Sequence, residues 1–446
     1  MAITTLTERG ELSRAARSFL RTESGSAVLL LCAAVIALVW ANLPLGYEEF
    51  WHTALRLSVG GSELALDLRH WVNDGLMVLF FFSVGLEISR ETTLGELRGA
   101  RAIAAPALAA VGGLTVPAAL FLLFNAGGPA AGAWGIAIST DTAVVIGVLA
   151  LVGPRCPDQL RVFLLALAIV DDIGAVAAIA LFYTDDVDVM ALLTAAALFL
   201  ALLALRFVRF WRTPIYVLIG LLMWFATLTS GVHPSVVGVA LGLLVNAYAP
   251  RPRDIARAQI VGSSFLLDPS PQRAMAAQTA VSEAVSPNER LQLRVQPWSS
   301  YVIVPLFVLA NAGVVLTGET LLAAATSPLT WGIIAGLTVG KLIGVTAGTW
   351  VALRTGLGTV PDTLRWGQLV GGAGLAGIGF TVALFVTELA LDDEELINDA
   401  KIGILAGSIL AAAIGWLIFR LAGERGGQCA PSGLPVLPPR PWRPPA

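Results

Sequence analysis

Two adjacent aspartates, Asp171 and Asp172, sit inside the run Phe163–Tyr183, which carries no other charged side chain. An ionised carboxylate at the centre of a membrane helix costs about 2.5–3.5 kcal/mol on insertion scales, and two neighbouring carboxylates also repel each other. Such a pair persists only where something cationic sits on it, so the question is which cation. Composition puts the run in a bilayer rather than in a soluble core. Hydrophobic residues make up 56% of the chain and charged residues 13%, against about 25% charged in soluble domains. With a mean hydropathy of +0.78, this length predicts about a dozen membrane spans of roughly 20 residues each.

Apolar segments recur at Gly25–Leu43, Trp71–Ser89, Ile103–Phe124, Trp134–Val152, Leu160–Tyr183, Val189–Leu205, Pro214–Thr229, Val232–Tyr248, Ser299–Thr317, Trp331–Leu353, Gly367–Leu391 and Ile402–Leu421. The first is long enough to span and lacks a small-residue cleavage site, so it reads as a helix and not as a signal peptide. Loop charge sets the orientation. Arg9, Arg14, Arg17 and Arg21 precede the first segment, and Arg98, Arg101, Arg155, Arg161, Arg206, Arg209, Arg212, Arg251, Arg253 and Arg257 fall in alternate loops. The other side carries Glu48, Glu49, Asp185, Asp186, Asp188 and the run Asp392–Glu395. The positive-inside bias then places both termini in the cytoplasm. The expected fold is an all-α integral membrane protein with two interrupted helices. A cytoplasmic N-terminal segment (1–24) precedes the helical domain (25–421). That domain includes a partly helical cytoplasmic loop (250–297) and an external β-hairpin (55–68) around Gly60-Gly61. A proline-rich tail (422–446) follows, too rich in proline for a packed core. Cys32, Cys156 and Cys429 show no metal-ligand spacing.

The polar residues at membrane depth carry the chemistry. The fourth segment contains Ser139-Thr-Asp-Thr142, whose side chains compete for backbone groups and break a regular helix. The eleventh contains Gly371, Gly372, Gly374, Gly377 and Gly379 before Phe380-Thr381. Close helix packing explains any single glycine, but paired interruptions in two halves of a transporter point to a midplane site. Crossing broken helices leave two partly positive N-terminal ends and two partly negative C-terminal ends face to face. Asp141 suits the first pair of ends and Lys341 the second. The chain has only two lysines, Lys341 and Lys401. Lys341 lies well inside its segment, so pairing with a buried carboxylate, Asp171 being the natural candidate, competes with snorkelling and with the helix-end role. Asp74 opens the second segment. Glu87, Arg90 and Glu91 close it, Glu87 and Arg90 at the spacing of an i,i+3 ion pair. His233 falls in a short external turn, where a solvated loop histidine is the more frequent outcome and a proton-linked switch the sharper one. Asn311 in the ninth segment suits a bond across helices.

Several motifs, in chain order, resemble NhaA-type sodium/proton antiporters: Val72–Glu91, Ser139-Thr-Asp-Thr142, Leu165–Ala175, Ser230-Gly-Val-His233, Gly340-Lys341 and Gly377–Thr381. The resemblance runs from about residue 20 to residue 421. It implies a twelve-helix fold with segments three to five and ten to twelve as inverted repeats. It implies cation and proton binding at Asp171 and Asp172, which would also ligate the transported sodium, with Lys341 paired to Asp171. By the same resemblance Asp141 and Thr140 belong to the broken helix, Asp74 to the entry funnel and Glu87 to the cytoplasmic mouth, with Arg90 and His233 as further candidates for the entry funnel or gating. It further implies exchange of internal Na+ or Li+ for external H+ with no cofactor, a bacterial inner-membrane location, and a homodimer through the external hairpin. No nucleic-acid partner is expected. One departure stands out: Gln292, Leu293 and Gln296 occupy the stretch where members of that family carry glutamate and histidine for pH sensing.

Two other classes compete. Intramembrane aspartyl proteolysis could draw its second aspartate from Asp141, but Asp171 follows Ala-Ile-Val and lacks a GxGD context. Prenyl transfer needs DDxxD-like spacing, whereas Ile-Gly-Ala follows Asp172. A passive cation channel would need neither the single ionisable cluster nor the buried lysine.

Overall fold

The computed structural model describes residues 23–59, 62–94, 100–153, 158–184, 187–207, 213–248, 250–360 and 364–422. Arg9, Arg14, Arg17, Arg21, Arg98, Arg155, Arg209, Arg212, Asp185, Asp186, Cys156, Cys429, the Gly60-Gly61 turn and the proline-rich tail from 423 lie outside the described residues.

The first half comprises α1 (Glu23–Ala41), α2 (Tyr47–Trp51), β1 (Ala54–Val59), β2 (Ser62–Asp67), α3 (Leu68–Thr93), α4 (Ala100–Asn125), α5 (Ala131–Ile138), α6 (Thr142–Val152), α7 (Asp158–Phe182), α8 (Val189–Phe207), α9 (Thr213–Leu228) and α10 (Ser235–Leu244). The second half comprises α11 (Pro252–Leu267), α12 (Pro271–Ala284), α13 (Pro287–Asn311), α14 (Gly318–Thr326), α15 (Pro328–Arg354), α16 (Trp366–Leu375), α17 (Phe380–Ala390) and α18 (Glu394–Leu421). Among the described residues seven helices are long and apolar enough to cross a bilayer, nine when each of two bent pairs counts as one span. The bent pairs are α5 with α6, at 44°, and α16 with α17, at 42°. Three apolar helices, Gly25–Ala41, Pro214–Leu228 and Ser235–Leu244, are shorter.

Two sequence expectations are corrected in extent. The segment Val232–Tyr248 is helical only over Ser235–Leu244, because Val245 turns to extended backbone (φ −80°, ψ 122°) and Asn246 is engaged by Arg206 and by the Asn288 backbone. The loop 250–297 is helical for most of its length. Pro252, Pro271 and Pro287 each stand at a helix start, where the missing N–H costs nothing. Pro297 lies inside α13, and the turn just beyond it, Ser299–Ile303, is widened to a π-helix. A proline ring clashes with the preceding turn, and this widening accompanies it.

Glycine permits two seams of backbone-to-backbone packing. A Cβ at Gly344 would run into the Gly112 carbonyl, and one at Gly348 into the Leu108 carbonyl, so α15 and α4 touch through their main chains. Gly85, Gly238 and Gly242 do the same for α3 and α10. Gly344→Val should lower the thermal midpoint of the detergent-solubilised protein by several degrees, since overpacking costs about 1–3 kcal/mol where the opposing atoms can yield and more against backbone. An unchanged melt would contradict the seam.

The expected hairpin is present, with Ala54 opposite Asp67. Asp67 gathers its base: His52 Nδ1 lies 2.9 Å from Oδ2, and His70 Nδ1 lies 2.7 Å from Oδ1, which also accepts the His70 backbone N–H. Burial acts to raise the Asp67 carboxyl, but these hydrogen bonds outweigh it and hold it below the ordinary 3.8. A depressed carboxylate stabilises above its unfolded value and loses that contribution as pH falls through its folded value. Hydrogen exchange of the His70 amide should therefore be independent of this group above pH 3.8, with protection lost only further into acid. In Asp67→Asn that acid step should disappear.

Candidate functional site

The break between α5 and α6 lies against the break between α16 and α17. Ser139 and Asp141 have extended backbone, which frees their main-chain groups for partners across the crossing. The Asp141 N–H donates to Ile378 O at 2.6 Å, the Thr140 hydroxyl to Ala376 O at 2.8 Å and the Ser139 hydroxyl to Gly379 O at 3.2 Å. The Asp141 carboxylate then serves both helix starts. Oδ1 accepts from Val144 N in α6 at 3.1 Å, while Oδ2 accepts from Thr381 N at 3.1 Å and from the Thr381 hydroxyl at 2.6 Å in α17. This is the counter-charge that two facing N-terminal ends require. Thr381 is a participant the sequence reading left out of the site. Its signal was its position just past the glycine cluster, in the first turn of a restarted helix.

Lys341 follows a π-helical turn, Gly336–Gly340, in α15. Its Nζ lies 2.6 Å from Asp171 Oδ2, with the side chains 1% and 3% exposed. Of the alternatives open for Lys341, the structure gives pairing with Asp171. The other oxygen, Asp171 Oδ1, is buried with no hydrogen-bond partner. Asp172, one residue along α7, is half-buried. Among the described residues it carries no hydrogen bond or ion pair, although Asp171, Glu87, Asp141 and Lys341 all lie within electrostatic reach. The site thus holds one neutralised carboxylate and one bare one, with vacant oxygen lone pairs on both. Hard monovalent cations and protons are what such oxygens bind.

Asp74 lies in a second π-helical turn, Trp71–Leu76, near the start of α3. His233 Nε2 is 3.1 Å from Asp74 Oδ1, with the side chains 10% and 16% exposed. The solvated-loop expectation for His233 is therefore overturned: its ring packs edge-on against Phe385, because the tight turn before α10 tucks it against α3 and α17. The Ser235 N–H donates to Nδ1, so a neutral imidazole protonated at Nε2 satisfies both contacts. Asn73 and Asn311 exchange side-chain hydrogen bonds at 3.3 and 2.8 Å, the expected bond across helices. Arg90 Nη1 lies 3.8 Å from Glu91 on the exposed end of α3. Leu293 and Gln296 are exposed on α13 and Gln292 is half-buried; none of the three side chains is titratable. A second buried pair, Lys401 with Glu388 at 3.0 Å, joins α18 to α17 and was missed as a pair.

Breaking a buried ion pair by removing one partner costs about 3–5 kcal/mol, whereas removing both is close to neutral. Lys341→Met should accordingly destabilise the purified protein strongly in a thermal melt. The double variant Lys341→Met with Asp171→Asn should recover much of the loss. Strictly additive effects would mean that the two groups do not act as a pair.

A family model described as Na+/H+ antiporter 1 matches residues 17–419. A Frankia alni protein named Na(+)/H(+) antiporter NhaA 3 is 51% identical over 440 residues, covering 98% of this chain and 95% of its own. Na(+)/H(+) antiporter NhaA 1 of Mycolicibacterium vanbaalenii is 44% identical over 430 residues, covering 96% of this chain and 70% of its own. Na(+)/H(+) antiporter NhaA of Herminiimonas arsenicoxydans is 44% identical over 415 residues, covering 92% of this chain and 67% of its own.

Proposed function

Because the chain belongs to the Na+/H+ antiporter 1 family, and so is a secondary transporter and not an enzyme, we propose that it exchanges internal Na+ or Li+ for external H+ by competition at Asp171 and Asp172. The observation that carries this reading is the unequal state of the two carboxylates. Lys341 cancels the charge of Asp171, which leaves Asp172 as a net negative charge at membrane depth. One monovalent cation neutralises it, and a proton does the same, so the two compete for the same oxygens. The groups then titrate as a coupled unit. A dehydrated Na+ or Li+ gains oxygen ligands from Asp172, from the vacant Asp171 Oδ1 and from main chain at the helix breaks. No cofactor takes part, since the ions are the substrates.

Alternating access is the second component. The α4–α15 seam and the α3–α10 seam are each rigid main-chain contacts, and Asp172 on α7 lies within reach of Glu87 on α3. Rocking of one unit against the other opens Asp172 first to one side and then to the other. In this reading the molecule has twelve spans with inverted repeats and lies in the bacterial inner membrane, with both termini cytoplasmic. It pairs as a homodimer through the β1–β2 hairpin. Asp74 and His233 line the external funnel, while Glu87 and Arg90 line the cytoplasmic mouth.

Everted vesicles with an imposed proton gradient and a pH-sensitive dye test the exchange. Na+ and Li+ should collapse the gradient and K+ should not. Asp172→Asn should abolish the response while the protein still inserts and melts cooperatively. Near-normal exchange in that variant would remove the mechanism, and electrogenic Na+ flux without proton movement would favour a channel. A pH profile without the steep activation of sensor-bearing relatives is expected, given Gln292, Leu293 and Gln296 on α13.

A further inference from the structure

Helix α11 packs on α12, and Ala258, Val261 and Phe265 on one side of it are half-buried. Its other side is largely uncovered among the described residues: Ile255, Ile260, Leu266 and Leu267 are 50, 70, 53 and 86% exposed. At 3.6 residues per turn these four and Ala256 fall within about 140° of the helix circumference, an arc that also holds the uncharged Gln259 and Ser263. Arg253 and Arg257 border that arc, and Asp254, the one carboxylate of α11, lies on the α12 side. Across 250–297 six arginines face four carboxylates. The bonds of Arg257 to Glu283 (2.9 Å) and of Arg273 to Asp268 (3.1 Å) are solvent-exposed, so they compete poorly with a denser anionic surface.

The feet of this helical pair are pinned to the bundle. Asn288 N donates to Asn246 O at 3.3 Å, its side chain donates to Leu86 O at 2.9 Å, and the Ser89 hydroxyl donates to Val245 O at 2.9 Å. The chain between α10 and α11 therefore keeps the start of α11 within about 30 Å of the end of α10, on the side that the arginine-rich loops mark. An amphipathic helix with an arginine border and a carboxylate-free apolar face suits an anionic headgroup layer.

We propose that α11 lies in the headgroup layer of the bilayer, with Ile255, Ile260, Leu266 and Leu267 inserted and Arg253 and Arg257 on anionic lipid phosphates. The inference is independent of the ion site. It is tested with the full-length chain carrying Cys32→Ser, Cys156→Ser and Cys429→Ser, a nitroxide on Leu267→Cys, and a control nitroxide on Glu283→Cys. Nanodiscs of phosphatidylcholine alone and with phosphatidylglycerol are compared by collision with oxygen and with a water-soluble nickel chelate. At Leu267 nickel access should fall at least threefold below the Glu283 control in the phosphatidylglycerol discs. Arg253→Gln with Arg257→Gln should erase the preference for phosphatidylglycerol. Equal nickel access at the two positions would overturn the proposal. Shielding that is identical in both lipids would overturn the anionic assignment, and shielding found only when two copies share a disc would mean that a second copy covers the face.

Discussion

Two helix N-termini aimed at each other in an apolar bundle present several N–H groups with no intrahelical partner, together with the positive ends of two helix dipoles. Water cannot satisfy them at that depth, and each group left unpaired costs a hydrogen bond's desolvation. Asp141 resolves both problems with one carboxylate, bonding α6 through Val144 and α17 through Thr381. The carbonyls on the other side of the crossing are taken by the Thr140 hydroxyl and the Asp141 N–H. The two breaks therefore satisfy each other. Glycine makes the approach possible: a side chain at Gly377 would strike the Leu337 carbonyl, and one at Gly379 would strike Ser139.

That crossing fixes the surroundings of the aspartate pair. Leu337, which Gly377 touches, belongs to the π-helical turn that ends just before Lys341. The widened turn thus connects the helix breaks to the ammonium that neutralises Asp171. The Thr140 hydroxyl is held by Ala376 O, and Asp171 Oδ1 has no hydrogen-bond partner among the described residues.

The sequence made most of this legible because a charged or hydroxyl group in an apolar run is expensive and therefore informative. Asp171, Asp172, Asp141 and Lys341 could be singled out on that ground alone, and the glycine cluster marked the second break. What stayed hidden depends on distance along the chain. His233 looks like a loop residue because its partners, Asp74 and Phe385, lie on other helices. Thr381 looks like an ordinary first-turn residue until the other helix start is beside it. Glu388 and Lys401 sit near opposite ends of an acidic turn, and nothing in their spacing announces an ion pair. The loop 250–297 hid three helix starts because proline signals both a break and a first turn. The extent of single segments is the least legible feature, since apolar loop residues flank a ten-residue helix such as α10.

The two glycine seams give the site its position in the molecule. Asp171 is tied by Lys341 to α15, which is joined main chain to main chain with α4. The α3–α10 seam holds Asp74, His233 and Glu87 in a second unit. Asp172 shares its helix with the first unit and feels the charge of Glu87 in the second. A displacement between the units would leave the Asp171–Lys341 pair intact, since Lys341 lies on α15 of the first unit. It would change the surroundings of Asp172 and the contact of His233 with Phe385. The carboxylate with no hydrogen bond or ion pair among the described residues is thus also the one that feels charges from both units.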